Sequence, residues 1–400
     1  MGLTASLSSR ASAGAFCLAV SGLGVAAPAT AQTLQSIQTP AKPLVLKARG
    51  SFFVGGRSVE QKASEILLGP DDSVTVDQMY VEYMVPAGKA KVPVVMIHGA
   101  GLSGKSYDTT PDGRMGWFEY FVRKAHPTYV VDQVGRARSG FNQAAINNRL
   151  SGASNAPSAP VVPTAPGAPA AIGQGAFRFG DRVGVWTNFR FGPRFGEAFP
   201  GERFPVEVVG EFSKQAIPDL TSQVQSPNPT LKALADLAVD LNGAVLISHS
   251  QSGPFPMDAA LIDPRGVAGI VAVEPGACRA SYTDEQIARL AKIPTLVVFG
   301  DNLSAQTGLG SLTWQNRLDG CRAYATRIKA AGGQVDIVAT AEQGIRGNSH
   351  MLMLDRNNLQ IADIILQWID GPRARLAQGL AASPGTGAVD GADGDPAVKR

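Results

Sequence analysis

Histidine and cysteine are scarce in this sequence, four and three residues in 400. The histidines stand alone at 98, 126, 249 and 350. With no carboxylate–histidine cluster, the usual zinc ligand sets are excluded, and no metal or organic cofactor is expected. Charge is sparse too: 17% of residues, with 36 Lys and Arg against 33 Asp and Glu. No dense basic run exists to neutralise phosphates, which argues against nucleic acid as a partner. Beyond the N-terminal segment no apolar run is long enough to span a bilayer, and no solenoid or propeller period recurs. What is plentiful is apolar material, 44% of the chain, ample for the buried core of an enzyme-sized protein.

Residues 1–31 place Arg10 before the apolar stretch AFCLAVSGLGVAA and Ala29-Thr30-Ala31 before Gln32. That order predicts a secretory signal peptide and a periplasmic or secreted mature chain from about Gln32. Cys17 would leave with the signal. Cys278 and Cys321 would then meet an oxidising compartment, where one disulfide and two separately buried thiols are both open readings.

After a strand or hairpin suggested by SFFVGGRSV and VTVDQMYVEYMV come VPVVMIH, TYVVD, AVLIS, GIVAVE, IPTLVVFGD and VDIVAT, separated by helix-like segments. Nearly continuous apolar runs predict strands covered on both faces. The expected class is therefore α/β, a doubly wound and mostly parallel sheet, with ligands collecting beyond the strands' carboxyl ends. The domain is expected over 32–372, with an insert at 141–243 between the fourth and fifth strands. Within the insert, 152–172 is an arm with prolines at 157, 160, 163, 166 and 169, the three-residue repeat of polyproline II. The rest of the insert is rich in aromatic rings and arginines. Most of its rings are expected to pack, with substrate contact sought at Trp186, Phe189 and Phe191. The tail 373–400 has too few large apolar groups to offset its ordering entropy, and disorder is expected there.

LISHSQSG, running from Leu246 to Gly253, puts three serines behind a buried strand. A nucleophile on a strand-to-helix elbow needs small residues two before and two after it. Only Ser250 qualifies on both sides. Its base must be a histidine. His98 lies in the IHGAG turn, His126 precedes a strand, and His249 adjoins Ser250 and points away from it, leaving His350. Two carboxylates could orient that base, Glu274 after GIVAV and Asp301 after TLVVFG. Both keep the order Ser, acid, His. A carboxylate emerging straight from a buried strand needs a partner, a description that suits Glu274 better. Oxyanion donors are expected from the N–H groups of Gln251 and Ala100. A rival reading takes Gly99 to Ser106 as a phosphate loop with Lys105 serving a nucleotide hydrolase, which leaves the Ser, His and Glu set unexplained. A third is a non-catalytic binding protein on the same scaffold.

The motifs GSFFVGGRSV, IHGAG followed by TTPDGRMGWFEYF, DQVGRARS, FRFGPRFGEAF, SHSQSG, VEPGAC and RGNSHMLMLDRNNLQIAD together resemble the bacterial secreted esterases of the esterase 713 type, within the α/β-hydrolases. The resemblance spans roughly residues 45 to 372. It implies a serine esterase acting on a small-molecule ester, with Ser250 as nucleophile, His350 as base and Glu274 rather than Asp301 as acid. It also favours a Cys278–Cys321 bridge. Ala100-Gly101 and the proline-rich arm depart from the family pattern where substrate would enter, so specificity is not carried over. A homodimer is one assembly compatible with the sequence, which does not specify the oligomeric state.

Overall fold

A computed structural model describes residues 33–151, 178–180, 182–219, 227–307 and 313–371. The expected signal peptide, the arm at 152–172 and the tail at 373–400 lie outside the described residues.

Eight strands form one sheet: β1 (Leu46–Gln61), β2 (Asp72–Pro86), β3 (Val94–Ile97), β4 (Thr128–Asp132), β5 (Ala244–His249), β6 (Val267–Val273), β7 (Thr295–Phe299) and β8 (Val335–Ala339). Their order is β1-β2-β4-β3-β5-β6-β7-β8. β1 and β2 form a hairpin and β2 runs antiparallel to β4, whereas every pair from β4 to β8 is parallel. Side chains alternate across a strand, which explains why apolar residues occupy successive positions. In β3, Val95 and Ile97 enter one core while Val94 and Met96 enter the other. Leu246 and Ile247 of β5 divide in the same way. A polar substitution anywhere in such a strand strands a group in one core or the other.

Ten helices occur among the described residues: α1 (Ala63–Ile66), α2 (Trp117–Arg123), α3 (Ala144–Leu150), α4 (Val183–Asn188), α5 (Val209–Ser213), α6 (Pro229–Asp240), α7 (Phe255–Ile262), α8 (Asp284–Leu290), α9 (Trp314–Ala330) and α10 (Asn358–Ile369). Leu234, Met257, Ile287 and Tyr324 of α6 to α9 fill the first core. Phe121 of α2, Ile365 of α10 and the aromatic insert fill the second. Among the described residues no helix is long and apolar enough to cross a membrane. The sheet thus has helices on both faces, and its parallel strands deliver Ser250, Glu274 and Gly300 to one rim.

Candidate active site

β5 ends in an elbow. Ser250 has φ +58°, a left-handed conformation that costs a non-glycine residue about 1–3 kcal/mol and persists only where its surroundings impose it. Here they do. The Ser250 carbonyl accepts N–H bonds from Gly253 at 2.9 Å and Gly276 at 2.6 Å. Ser252 Oγ accepts the His249 N–H at 3.1 Å, and Ser248 Oγ donates to the Gly253 carbonyl at 3.1 Å. The two flanking serines are buried and hydrogen-bonded, whereas Ser250 is only half-buried. Glycine is required around the elbow: a Cβ on Gly99 would lie 2.8 Å from Ser250 Cβ, and one on Gly253 would lie 2.4 Å from Pro275 Cβ.

β6 ends directly on Glu274, also left-handed at φ +48° and fully buried. Its Oε2 lies 3.0 Å from His350 Nδ1, and its Oε1 accepts the Gly300 N–H at 2.5 Å. A carboxylate on Nδ1 places the proton there, so Nε2 keeps its lone pair. Nε2 is buried and has no hydrogen-bond partner among the described residues. Rings of Trp314, His249 and Phe189 surround the His350 imidazole, with centroids 4.0, 4.6 and 5.2 Å from its own. Burial opposes a charge on His350 and outweighs the nearby carboxylate, leaving its pKa near 4. Burial also opposes the charge on Glu274, but Arg190 and His350 prevail and hold it down to about 2.

Sequence reasoning missed that arginine's part. Arg190, fully buried, grips Glu274 with two bonds, Nη2 to Oε1 at 2.7 Å and Nη1 to Oε2 at 2.9 Å. Asp301, the other candidate acid, is placed elsewhere: its carboxylate accepts the N–H groups of Gly347 at 2.9 Å and Asn302 at 2.7 Å. It shapes the loop that carries His350. A carboxylate that sequence reasoning did miss, Asp355, folds the same loop by accepting Ser349 N–H, Ser349 Oγ–H and an Asn348 amide hydrogen at 2.6–2.9 Å.

On the opposite side of the elbow lies the glycine turn after β3. His98 is buried and structural: its Nε2 accepts the Gln133 N–H at 3.1 Å and its carbonyl the Gln133 amide at 2.6 Å. Gln133 in turn accepts from Arg136, whose Nη2 is 2.5 Å from Asp219 Oδ1. The amide side chain of Gln251 reaches Asp219 Oδ2 at 3.4 Å. This network holds both residues expected to supply oxyanion donors, Gln251 directly and Ala100 through the turn that His98 begins.

No family model matches the chain. A solved structure described as a novel bacterial esterase is 44% identical, aligns over 83% of this chain and 98% of its own, and superposes with a TM-score of 0.73. The probable secreted lipase phiG of a fungal species (strain ATCC 74256) is 26% identical over 340 residues, 73% of this chain and 85% of its own. The chain is an esterase of the α/β-hydrolase superfamily. It is accordingly a carboxylic-ester hydrolase.

The phosphate-loop reading does not fit this esterase. Gly104–Tyr107 form a 3-10 turn whose first amide already donates to Asp132 Oδ1 at 2.7 Å, and Lys105 Nζ bonds the Thr109 carbonyl. An incoming phosphate would meet the Asp132 carboxylate. Of the insert's rings, Trp186 and Phe191 pack inward: Trp186 Nε1 bonds the Glu197 carbonyl at 3.0 Å, and Phe191 stacks on Phe204 at 3.9 Å. Phe189 alone of the three adjoins His350. Phe189 is itself buried against Phe191 and Phe212, and the ring of Phe179, 5.1 Å from it and against Gly101, continues this cluster as an apolar wall. The bridge between Cys278 and Cys321 is present, with Cα atoms 4.9 Å apart. It ties the loop after Glu274 to α9, the helix that begins with Trp314.

Proposed function

We propose that the esterase cleaves carboxylic esters through an acyl-enzyme on Ser250. His350 Nε2 takes the hydroxyl proton as Ser250 Oγ attacks the ester carbonyl carbon, and Glu274 stabilises the imidazolium that results. The N–H groups of Ala100 and Gln251 receive the oxyanion. The proton then passes to the departing alkoxide, the alcohol leaves, and His350 activates water to hydrolyse the acyl-enzyme. One observation carries the reading: a buried imidazole whose Nδ1 is held by a carboxylate while Nε2 is left unsatisfied. Such a nitrogen is costly unless chemistry uses it.

The apolar wall of Phe179 and Phe189 favours a mid-sized, largely apolar ester. The disulfide and the similarity to a probable secreted lipase support export; the apolar N-terminal segment is read as a signal peptide removed near Gln32, ahead of one domain running to about 372. Treatment with an organophosphate or sulfonyl fluoride tests the nucleophile. The expected result is one stoichiometric adduct, located on Ser250 by peptide mass and absent from Ser250→Ala. An unmodified chain, or an adduct on Ser248 or Ser252, overturns the assignment.

A further inference from the structure

We infer that Arg190 is a positioning residue for the Glu274–His350 pair, so that the insert between β4 and β5 belongs to the catalytic machinery. This rests on the triad proposed above. Residues 187–190 bind four segments around His350: the loop after β7, the start of α9, the end of β6 and the His350 loop itself. Thr187 Oγ1 donates to the Thr307 carbonyl at 3.0 Å, and the Asn188 carbonyl accepts Trp314 Nε1–H at 2.8 Å. The Phe189 carbonyl accepts the His350 N–H at 2.9 Å. Arg190 closes the set, with Nε donating to the Asp301 carbonyl at 2.8 Å and both terminal nitrogens on Glu274.

A carboxylate has two oxygens and only one useful orientation here. The Gly300 N–H and one prong of the guanidinium occupy Oε1. The other prong fixes the carboxylate plane and leaves Oε2 facing His350. A planar fork does this where a point charge would not. The positive charge also keeps the buried carboxylate ionised, so that it can stabilise the imidazolium formed when His350 takes a proton. Arg190 itself sits at φ +59°, a conformation maintained by those contacts. Without the seated insert, the acid would keep neither its charge nor its orientation.

The test compares Arg190→Met and Arg190→Lys with wild type, each alone and in the Glu274→Gln background, using the full chain and a soluble ester. Titration of Ser250 with a phosphonate counts the folded sites, so that misfolding is separated from loss of turnover. Arg190→Met is expected to lower kcat per labelled site roughly 10–100-fold, the scale seen by analogy when a residue that orients a metal-binding histidine or carboxylate is removed. KM should stay within about twofold. Lysine should recover part of kcat because it restores charge without the fork. In Glu274→Gln, already neutral, the methionine change should add less than about threefold. A loss that falls on KM, or one that multiplies fully onto the Glu274→Gln loss, overturns the inference while the triad stands. If Glu274→Gln itself costs nothing, the triad reading fails and this inference with it. Should the methionine variant not fold, the lysine variant decides: kcat unchanged per labelled site overturns the proposal.

Discussion

Two buried arginine–carboxylate pairs flank Ser250, and they differ in what lies at their far ends. In one, Arg190 and Glu274 are both fully buried. In the other, Arg136 and Asp219 are nearly as buried, at 1% and 0% side-chain exposure. The insert supplies one member of each, the cation to the first and the anion to the second. Replacing such pairs by apolar residues is often neutral or stabilising, so burial of the charges does not itself explain them. Their targets do. The first pair ends on an imidazole that must gain and lose a proton. The second ends on the amides of Gln133 and Gln251, which have only to keep still. One side therefore supports charge that moves, the other dipoles that stay fixed, and variants should separate these duties.

The largest effect is expected at the shared centre. Ser250→Ala and His350→Ala should each lower kcat roughly 10⁵–10⁶-fold, and the double variant should be little worse than either, because the two act as a unit. Comparable losses that multiply would mean they act independently. Next comes the choice of acid. Glu274→Ala should cost about 10⁴-fold in kcat, the scale for losing the group that orients the base. Asp301→Ala, whose carboxylate bonds loop amides and not the imidazole, should cost far less. A reversed ranking in steady-state kinetics would move the acid to β7. On the fixed side, Asp219→Ala leaves Arg136 buried and unpaired, which should destabilise the fold by roughly 3–5 kcal/mol in denaturant unfolding. Its effect on kcat should stay near or below about tenfold. A collapse of kcat like that of Glu274→Ala would erase the distinction between the two sides.

Much of one side could be read from sequence, because its logic is local. The parallel strands announced themselves as unbroken apolar runs, and Ser250 stood out through the small side chains its elbow requires. Against Asp301 it was the family resemblance that decided, but Glu274 was legible as a candidate because a carboxylate at the end of a buried strand needs a partner. Its partner Arg190 was not, since FRFGPRFGEAF shows several arginines and nothing local marks the one that turns inward. The same holds for Arg136 in DQVGRARS and for Asp219. Asp355 also escaped notice, although its place five residues after His350 in a loop rich in Asn and Ser is a signal for a carboxylate-centred turn. The ion pairs join residues 83 and 84 positions apart, and charge complementarity over such distances leaves no periodicity to detect. Trp186 and Phe191 stand for a related limit: composition marks an aromatic insert but not which rings face inward.

The smallest expected effect concerns pH, and it distinguishes the proton-moving side again. Burial, opposed by Glu274 and aided by Arg190 and Arg317, holds the His350 pKa near 4. In the unfolded chain an imidazole titrates near 6.5. Between those values the unfolded state binds the extra proton first, so stability is lost as pH falls from about 6.5 to about 4, by roughly 3 kcal/mol. Glu274, held near 2, acts in the same direction at lower pH, where the unfolded carboxylate takes up its proton first. Subtracting the unfolding free energies of His350→Gln from those of wild type across this range isolates the histidine's share. The acid limb of kcat/KM should follow the same group, staying level down to about pH 5 and falling toward pH 4, because the base works only as neutral imidazole. A limb near pH 6.5 would show that His350 is solvated in the free enzyme. The insert would then have to stand away from His350 before substrate binds, and Arg190 would not hold Glu274 in the resting state.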